Sequence, residues 1–324
     1  MGNRGAELTD SKQGMDPNRR NRETGMEENK DHRRDAFDLA CLADITGAVD
    51  CHAHLLGPFA LHPLGEAELD ERIADESPQE ASLDAYREVL AGELGFSRAV
   101  LVQPRGYGTN NECLLQALAR HRNKLRGVAS VQPGAADETL ERLAGTGVRG
   151  LRFCLAGPDD PVLGDLPALA ARIEPLNWHF EFDLDGRHLS ALGDQLAALP
   201  VPCVLDHLAA PATHWDLASP DLDALARLIE TGTVWVKLTG IERLSKAGPP
   251  YDDLRPWVRR LVEIDPTRLL WGSAWPYCRG RQDGERRGTA AAALARFALW
   301  VPEERLRRLI LMTNPAQLYG FDED

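Results

Sequence analysis

The sequence predicts a parallel (β/α)8 barrel with a charged N-terminal extension, and three observations support this fold class. Eight short runs rich in β-branched residues alternate with amphipathic stretches along the chain. The length of 324 residues is within the range of barrels that form one large domain. Polar residues close several of the predicted strands, where parallel barrels keep their functional groups. The alternation and strand number favour a barrel over an open, doubly wound sheet.

The predicted strands are short apolar segments bounded by turn residues. They cover residues 47–54, 97–103, 126–131, 148–154, 178–184, 201–207, 233–239 and 268–273. The stretches between them place apolar residues on one helical face. The clearest predicted helices cover residues 82–95, 112–121, 136–147, 188–199, 221–231 and 251–264.

The segment 1–36 differs in composition from the rest of the chain. It holds eight basic and eight acidic residues and no aromatic residue. Such a segment buries too little apolar surface to offset its ordering entropy, so we expect a disordered tail. The predicted domains are therefore the tail, 1–36, and the barrel, 37–324, which carries the whole net charge of −13.

Composition and missing motifs exclude several classes of function. No apolar run approaches the roughly 20 residues of a membrane helix, and the acidic surplus argues against nucleic-acid binding. Six scattered cysteines without a CxxC pair, and no secretory signal, predict reduced thiols in a cytoplasmic protein. No GxGxxG follows a predicted strand, and GxxxxGK[ST] and GxSxG are absent from the chain, which disfavours nicotinamide, P-loop and serine-hydrolase chemistry. The expected partner is a small anionic substrate, and a homodimer is compatible with the sequence.

Histidines and carboxylates close the first, fifth and sixth predicted strands. His52 and His54 are two residues apart at the end of the first strand, so both side chains face the barrel mouth. Two adjacent imidazoles bind a metal ion or polarise a carbonyl group. Glu181 and Asp183 share one face of the fifth strand, and a carboxylate there needs a partner or a bound cation. His207 supplies a third imidazole at the end of the sixth strand.

Three arginines follow or close strands of the same barrel end. Arg105 lies in the loop after the second strand, Arg152 near the end of the fourth, and Arg243 after the seventh. Guanidinium groups hold carboxylates with two hydrogen bonds, so this grouping predicts an anionic substrate. Tyr107 and Thr109, in the same loop as Arg105, add neutral hydrogen-bonding groups.

An ordered series of motifs resembles one known family. DCHAHLLGP, LVQPRGYGTNN, RGVASVQP, GVRGLRF, VLDHLA, VWVKLTG, LLWGSAWPY and NPAQLYGF occur in this order over residues 47–321. Together they resemble the branch of the amidohydrolase superfamily that contains 2-pyrone-4,6-dicarboxylate lactonase and sugar lactonases. The resemblance implies an amidohydrolase-type TIM barrel that hydrolyses the cyclic ester of a small, acidic lactone.

The resemblance also assigns roles to positions of this chain. His52 and His54 match the family's HxH pair and His207 its sixth-strand histidine, while Arg152, Arg243, Tyr107 and Thr109 fall where the family holds substrate carboxylates. In metal-dependent relatives a divalent ion such as Zn²⁺ or Mn²⁺ is bound by the HxH pair, a fifth-strand ligand and the sixth-strand histidine. Here these residues are His52, His54, Glu181 and His207. The dicarboxylate lactonases work without a metal, so both states are open.

The eighth strand departs from the family pattern at one position. The family has a GTDWPH-like string whose Asp binds metal or acts as general base, whereas this chain has GSAWPY with Ala274 in that place. A methyl group performs neither role, so the resemblance predicts a lactonase disabled at this step. Ala274 is explained by an engineered substitution, by a natural barrel in which Glu181 or Asp183 took over acid/base work, or by a protein that only binds a carboxylate ligand. A metal-dependent decarboxylase or other lyase of the superfamily is the alternative enzyme.

Overall fold

The computed structural model describes residues 1–2, 45, 47–64, 81–209, 216–276 and 289–322. The chain divides into two units, Met1–Ala43 and Asp44–Asp324, and all described helices and strands belong to the second. Apart from residues 1–2, the predicted tail lies outside the described residues, so its disorder stays a prediction. Within the described ranges, no helix has the length and apolar character needed to cross a membrane.

Eight parallel strands form one sheet in the order β1 to β8, which confirms the predicted barrel. Each strand falls at its predicted place: β1 Val49–Ala53, β2 Arg98–Val102, β3 Leu125–Ala129, β4 Val148–Cys154, β5 His179–Asp183, β6 Cys203–Leu205, β7 Val234–Leu238 and β8 Leu269–Trp271. Sequential parallel pairing requires every connection to cross over outside the sheet, which is the role of the intervening helices.

The helices alternate with the strands and include all six predicted stretches. They are α1 Leu83–Glu88, α2 Glu112–Arg120, α3 Asp137–Thr146, α4 Leu166–Ile173, α5 Leu189–Ala197, α6 Pro220–Glu230, α7 Ile241–Leu244, α8 Arg255–Ile264, α9 Ala290–Trp300, α10 Glu304–Arg308 and α11 Asn314–Tyr319. A π-helical turn, Val89–Glu93, continues α1. Helices α4 and α7 and the helices from α9 onward are not among the predicted stretches.

Helix α6 illustrates how local sequence sets these elements. Ser219 caps the helix by accepting a hydrogen bond from the Leu222 amide at 3.3 Å, and Pro220 occupies the first position, where no amide donor is needed. Apolar residues recur at helical spacing and are buried against the barrel; they are Leu222, Leu225, Leu228 and Ile229. The helix therefore presents its charged residues to solvent.

Among the described residues, a β-bridge and a buried carboxylate close the barrel between β1 and the segment that follows β8. Ala53 pairs with Trp275, the His54 amide donates to the Trp275 carbonyl at 2.8 Å, and the Ala274 amide donates to the His52 carbonyl at 2.9 Å. Asp50 accepts four hydrogen bonds beneath this bridge, from the His52 amide (3.1 Å), the Tyr86 hydroxyl (2.9 Å), the Ser273 amide (2.8 Å) and the Ser273 hydroxyl (2.6 Å). These contacts fix the first histidine strand against the segment that carries Ala274.

The described cysteines agree with the prediction of reduced thiols. Cys51, Cys113 and Cys203 are buried, Cys154 is partly buried, and each is free. Cys51 packs in the barrel core with Val100, Val204 and Tyr319. Cys41 and Cys278 lie outside the described residues.

Candidate active site

The two histidines of β1 meet at the carboxyl end of the barrel, as predicted. Their Nε2 atoms are 3.2 Å apart. The Nδ1 atom of His54 lies 2.8 Å from the Val102 carbonyl, which can only accept, so we assign the proton of the neutral ring to Nδ1. The Nε2 lone pair of His54 therefore faces Nε2 of His52. Loss of hydration, together with the charges of His52 and Arg152, holds the pKa of His54 well below its usual value.

A buried charge network lies on the other side of the His52 ring. Nδ1 of His52 is 3.3 Å from Asp206 Oδ1 and 3.4 Å from Lys237 Nζ. Lys237 in turn donates to Glu181 Oε2 at 2.5 Å and lies 3.7 Å from Asp206. All four side chains are inaccessible to solvent. Burial alone would raise the pKa of Asp206, but the charges of His52 and Lys237 hold it well below its usual value.

His207 stands beside His52 on a strained turn that follows β6. The two ring centroids are 5.1 Å apart. His207, Leu208 and Ala209 all have positive φ angles, of 51°, 64° and 46°, a conformation that costs non-glycine residues roughly 1–2 kcal/mol each. Gly240 makes room for the ring, because a Cβ at that position would lie 2.5 Å from His207 Nδ1. Burial and the charge of Arg243 hold the pKa of His207 well below its usual value.

The arrangement fits a divalent metal ion. His52, Asp206 and His207 each offer one ligand atom, and these atoms all lie within 4.8 Å of one another. Nε2 of His54 adds an imidazole nitrogen next to His52. Neutral imidazoles and a carboxylate are ligands for Zn²⁺ and Mn²⁺. Sequence reasoning named three of these residues but chose Glu181 as the carboxylate ligand, whereas the structure commits Glu181 to Lys237 and brings Asp206 to the histidines.

Arg152, which is predicted to hold substrate, is bound to carboxylates of the protein. Its side chain is only 4% exposed. Nε donates to Asp206 Oδ2 at 3.2 Å, one terminal nitrogen to Asp183 Oδ2 at 3.0 Å, and the other to the Gln103 carbonyl at 3.5 Å. Each guanidinium nitrogen already has a protein acceptor, so Arg152 connects two carboxylates rather than presenting a free fork to a ligand.

Asp183 and Arg243 lie nearer the solvent. The Asp183 side chain is 12% exposed, and its Oδ1 atom is 3.5 Å from Arg243, whose side chain is 48% exposed. Burial by itself would raise the pKa of Asp183, but the charges of Arg152, His207 and Arg243 hold it well below its usual range. Arg105 is exposed and close enough to Cys154, at the end of β4, for its charge to act on that thiol. The structure therefore brings Arg243 and Asp183 together at the mouth.

The remaining predicted substrate-binding residues lie in the loop after β2. Tyr107 is buried, and its hydroxyl accepts a hydrogen bond from the Gly57 amide at 2.6 Å, which joins this loop to the one after β1. Thr109 is exposed. Gln103 holds the loop by donating to the Gly108 and Asn110 carbonyls at 3.1 and 2.8 Å.

Ala274 lies directly after β8, opposite the first histidine strand. Its amide donates to the His52 carbonyl, and its φ angle is 59°. Among non-glycine residues, asparagine and aspartate adopt this left-handed conformation most readily. The backbone at position 274 thus has a shape that suits aspartate better than alanine.

Two residues of the site, Lys237 and Asp206, had no role predicted from the sequence. Lys237 lies in the motif VWVKLTG and Asp206 in the motif VLDHLA, and both contact the His52 ring. A usable signal was present: a lysine in the apolar run VWVKL and a glutamate in the apolar run HFEFD are two buried charges of opposite sign. Such charges in a barrel interior are expected to pair.

Comparison with known proteins agrees with this architecture. A sequence model of the amidohydrolase family matches residues 49–321. The chain is 32% identical to a 4-sulfomuconolactone hydrolase of Rhizobium radiobacter over 85% of this chain and 90% of the relative. It is 32% identical to a 2-pyrone-4,6-dicarboxylate hydrolase of Comamonas testosteroni over 86% and 91%. A crystal structure from Pseudomonas putida, described as a 2-pyrone-4,6-dicarboxylic acid hydrolase, is 30% identical and superposes with a TM-score of 0.73 over 86% of this chain and 99% of that one. The chain is an enzyme of the amidohydrolase family.

Proposed function

We propose that this enzyme hydrolyses a small, acidic lactone at the carboxyl end of the barrel. The observation that carries the proposal is the meeting of His52 and His54 at 3.2 Å, with His207 beside them and Asp206 behind them. Such a cluster is suited to polarising an ester carbonyl. The two curated relatives are both named as hydrolases of acidic lactones or pyrones, which supports the same bond type here.

The residues of this chain divide the work as follows. Arg243 and Arg105 attract the anionic group of the substrate and bring the ring to the mouth. A ring N–H of His207 donates to the lactone carbonyl oxygen and stabilises the negative charge that develops on it, while His54, whose Nε2 lone pair faces His52, holds the His52 ring beside His207. The oxygen of water bonds to the carbonyl carbon, the ring C–O bond breaks, and a proton from water passes to the released ring oxygen. The product is an open-chain hydroxy or oxo acid with one more carboxylate.

A divalent ion is compatible with the same cluster. His52, Asp206 and His207 are the residues that would hold it. When bound, such an ion supplies Lewis-acid polarisation of the carbonyl and lowers the pKa of water. Lys237, 3.4 Å from His52 Nδ1, contacts the opposite side of the His52 ring from His54.

We further propose that Ala274 limits the rate of this chain. A methyl group cannot accept a proton from water, and loss of a positioned base costs about 10²- to 10⁴-fold in rate. The left-handed backbone at position 274 supports the view that this site is shaped for a carboxylate. The Ala274→Asp variant is therefore expected to keep the fold and to hydrolyse lactone faster by that factor.

The test is hydrolysis of a panel of acidic lactones, followed by the colour of a pH indicator. The parent chain, Ala274→Asp and a matched control, Ala91→Asp, are compared; Ala91 is exposed on the turn that continues α1. Faster ring opening by Ala274→Asp alone supports both proposals. Equal rates for all three chains contradict the role of position 274, and no ring opening by any chain contradicts lactone hydrolysis.

A further inference from the structure

The turn that carries His207 has a backbone conformation that its own residues do not favour. His207, Leu208 and Ala209 have φ angles of 51°, 64° and 46° in succession. Leucine and alanine rarely adopt this left-handed region, so such a turn persists where the surrounding structure fixes it. Strained backbone of this kind is concentrated at functional sites, and here it directly follows the strand that ends beside the histidine cluster.

Two backbone hydrogen bonds fix the start of the turn. The Asp206 amide donates to the Phe182 carbonyl of β5 at 2.9 Å, and the Ala209 amide donates to the Asp206 carbonyl at 2.9 Å. The first bond attaches the residue before the turn to the sheet, and the second closes the turn on itself. Neither bond holds the peptide group at the centre of the turn.

A tryptophan of an outer helix holds that central peptide group. Trp257 lies on α8 and is 1% exposed. Its indole Nε1 donates to the carbonyl of Leu208 at 3.3 Å. Leu208 is itself fully buried, so its carbonyl would lose free energy if it had no donor. Relaxation of Leu208 to right-handed dihedral angles would rotate this carbonyl and break the bond, so the indole favours the strained conformation.

The orientation of the His207 ring depends on this turn. Within the part of the chain that the structure describes, Nδ1 of His207 has no hydrogen-bond partner. The ring lies against the backbone of Gly240, where a Cβ would be 2.5 Å from Nδ1, and beside the ring of His52 at 5.1 Å between centroids. Because no hydrogen bond at Nδ1 fixes the ring, a change in the backbone of the turn would move it relative to His52.

We propose that Trp257 is a positioning residue: by holding the Leu208 carbonyl, it keeps the turn in the conformation that directs the His207 ring toward the reacting carbonyl group. The role rests on the proposed lactone hydrolysis, in which His207 donates to the carbonyl oxygen of the substrate. Trp257 is buried behind the turn and acts through Leu208. Loss of its N–H should therefore reduce turnover and leave substrate binding in place.

Amide hydrogen exchange, followed by NMR on the full chain, measures the hold on the turn directly. Trp257→Phe keeps a buried aromatic ring and removes the N–H. In this variant the Ala209 amide is expected to exchange about 5- to 30-fold faster relative to the Phe180 amide of β5, which donates to the Pro202 carbonyl and reports on the sheet.

Trp300→Phe is the matched control for the loss of an indole. Trp300 lies on α9, is also 1% exposed, and its Nε1 has no hydrogen-bond partner among the described residues. This variant loses the same atoms without losing a hydrogen bond to the turn. It is expected to leave the ratio of the two exchange rates unchanged.

Hydrolysis of an acidic lactone, measured over long incubation, gives the second readout. Trp257→Phe is expected to lower kcat about 5- to 30-fold and to leave KM unchanged, because the ring that stabilises the developing charge is displaced while the substrate is still bound. Adding Ala209→Gly, which removes the Cβ that disfavours a positive φ angle, is expected to recover most of the lost kcat. Trp300→Phe is expected to keep both constants.

An Ala209 amide that exchanges no faster in Trp257→Phe than in Trp300→Phe overturns the proposal, and so does a rise in KM at unchanged kcat. If Trp257→Phe does not fold, Ala209→Val takes its place, because a β-branched residue opposes the left-handed backbone and should lower kcat in the same way. If no chain opens a lactone while the Ala209 amide exchanges faster as expected, the proposed hydrolysis fails and the hold of Trp257 on the turn stands.

Discussion

Removal of the Asp50 carboxylate should destabilise the barrel more than any surface substitution. Asp50 accepts hydrogen bonds from two backbone amides and two hydroxyls, and it is fully buried between β1 and β8. Burial outweighs these four bonds and raises the pKa of its carboxyl group above the usual value. The Asp50→Ala variant loses all four contacts at the one place where the barrel closes.

The magnitude follows from the contacts. Each hydrogen bond contributes about 1 kcal/mol, and each buried amide left without an acceptor costs about 1–3 kcal/mol. Asp50→Ala removes two hydroxyl hydrogen bonds and leaves the amides of His52 and Ser273 without an acceptor, so the free energy of unfolding should fall by roughly 4–8 kcal/mol. That is a large part of the 5–15 kcal/mol typical of a folded domain. Tyr86→Phe removes a single one of the four bonds and should cost about 1–2 kcal/mol.

Urea unfolding followed by tryptophan fluorescence measures these changes. Asp194→Ala, at an exposed carboxylate on α5, is the control and should stay within about 0.5 kcal/mol of the parent chain. If Asp50→Ala proves no less stable than Asp194→Ala, the carboxylate does not hold β1 to β8 and the reasoning fails.

Three further predictions concern the buried network and the strand contacts. Lys237→Met leaves Glu181 buried without its lysine partner, so the free energy of unfolding should fall by about 3–5 kcal/mol. The double variant with Glu181→Gln should recover most of that loss in the same urea assay. Gly272→Ala would place a Cβ 2.5 Å from the Cβ of His52 and should lower stability by about 3 kcal/mol, whereas Gly164→Ala, with open space around it, should not. The imidazoles of His54, His179 and His207 have pKa values below the usual 6.5 and bind protons more weakly in the folded chain. The stability they contribute is therefore fully present above about pH 6.5 and falls as the pH drops below it, by up to about 1.4 kcal/mol per pH unit for each group. Asp50, whose pKa is raised, opposes this trend with one group. Unfolding midpoints of chelator-treated protein that do not fall between pH 7 and pH 5.5 would contradict the lowered pKa values of these three imidazoles.

Much of the fold and part of the site follow from local sequence. The eight strands were predictable because each is a short β-branched run between turn residues, and strands in a barrel are buried along their whole length. The HxH pair was predictable because side chains two residues apart in a strand, such as those of His52 and His54, point to the same face. His207 was predictable because the ends of parallel strands meet at one edge.

The partners of the charged residues did not follow from sequence. The sequence pattern places Arg152, Asp183 and Asp206 at the same end of the barrel. It does not show that Arg152 forms ion pairs with both carboxylates. Those ion pairs depend on the stagger between neighbouring strands and on side-chain conformations, which local sequence does not determine. The pairing of Glu181 with Lys237 is non-local in the same way, since the two residues are on strands separated by β6.

Ring opening in ¹⁸O-labelled water tests the central claim most directly. A monocarboxylate lactone is incubated with the Ala274→Asp chain and, for longer, with the parent chain, and the product is analysed by mass spectrometry. Lactone hydrolysis predicts an open-chain acid that carries one ¹⁸O atom in its new carboxylate. A product without the label, or release of carbon dioxide, would show that the histidine cluster performs isomerisation or decarboxylation instead and would contradict the proposed function.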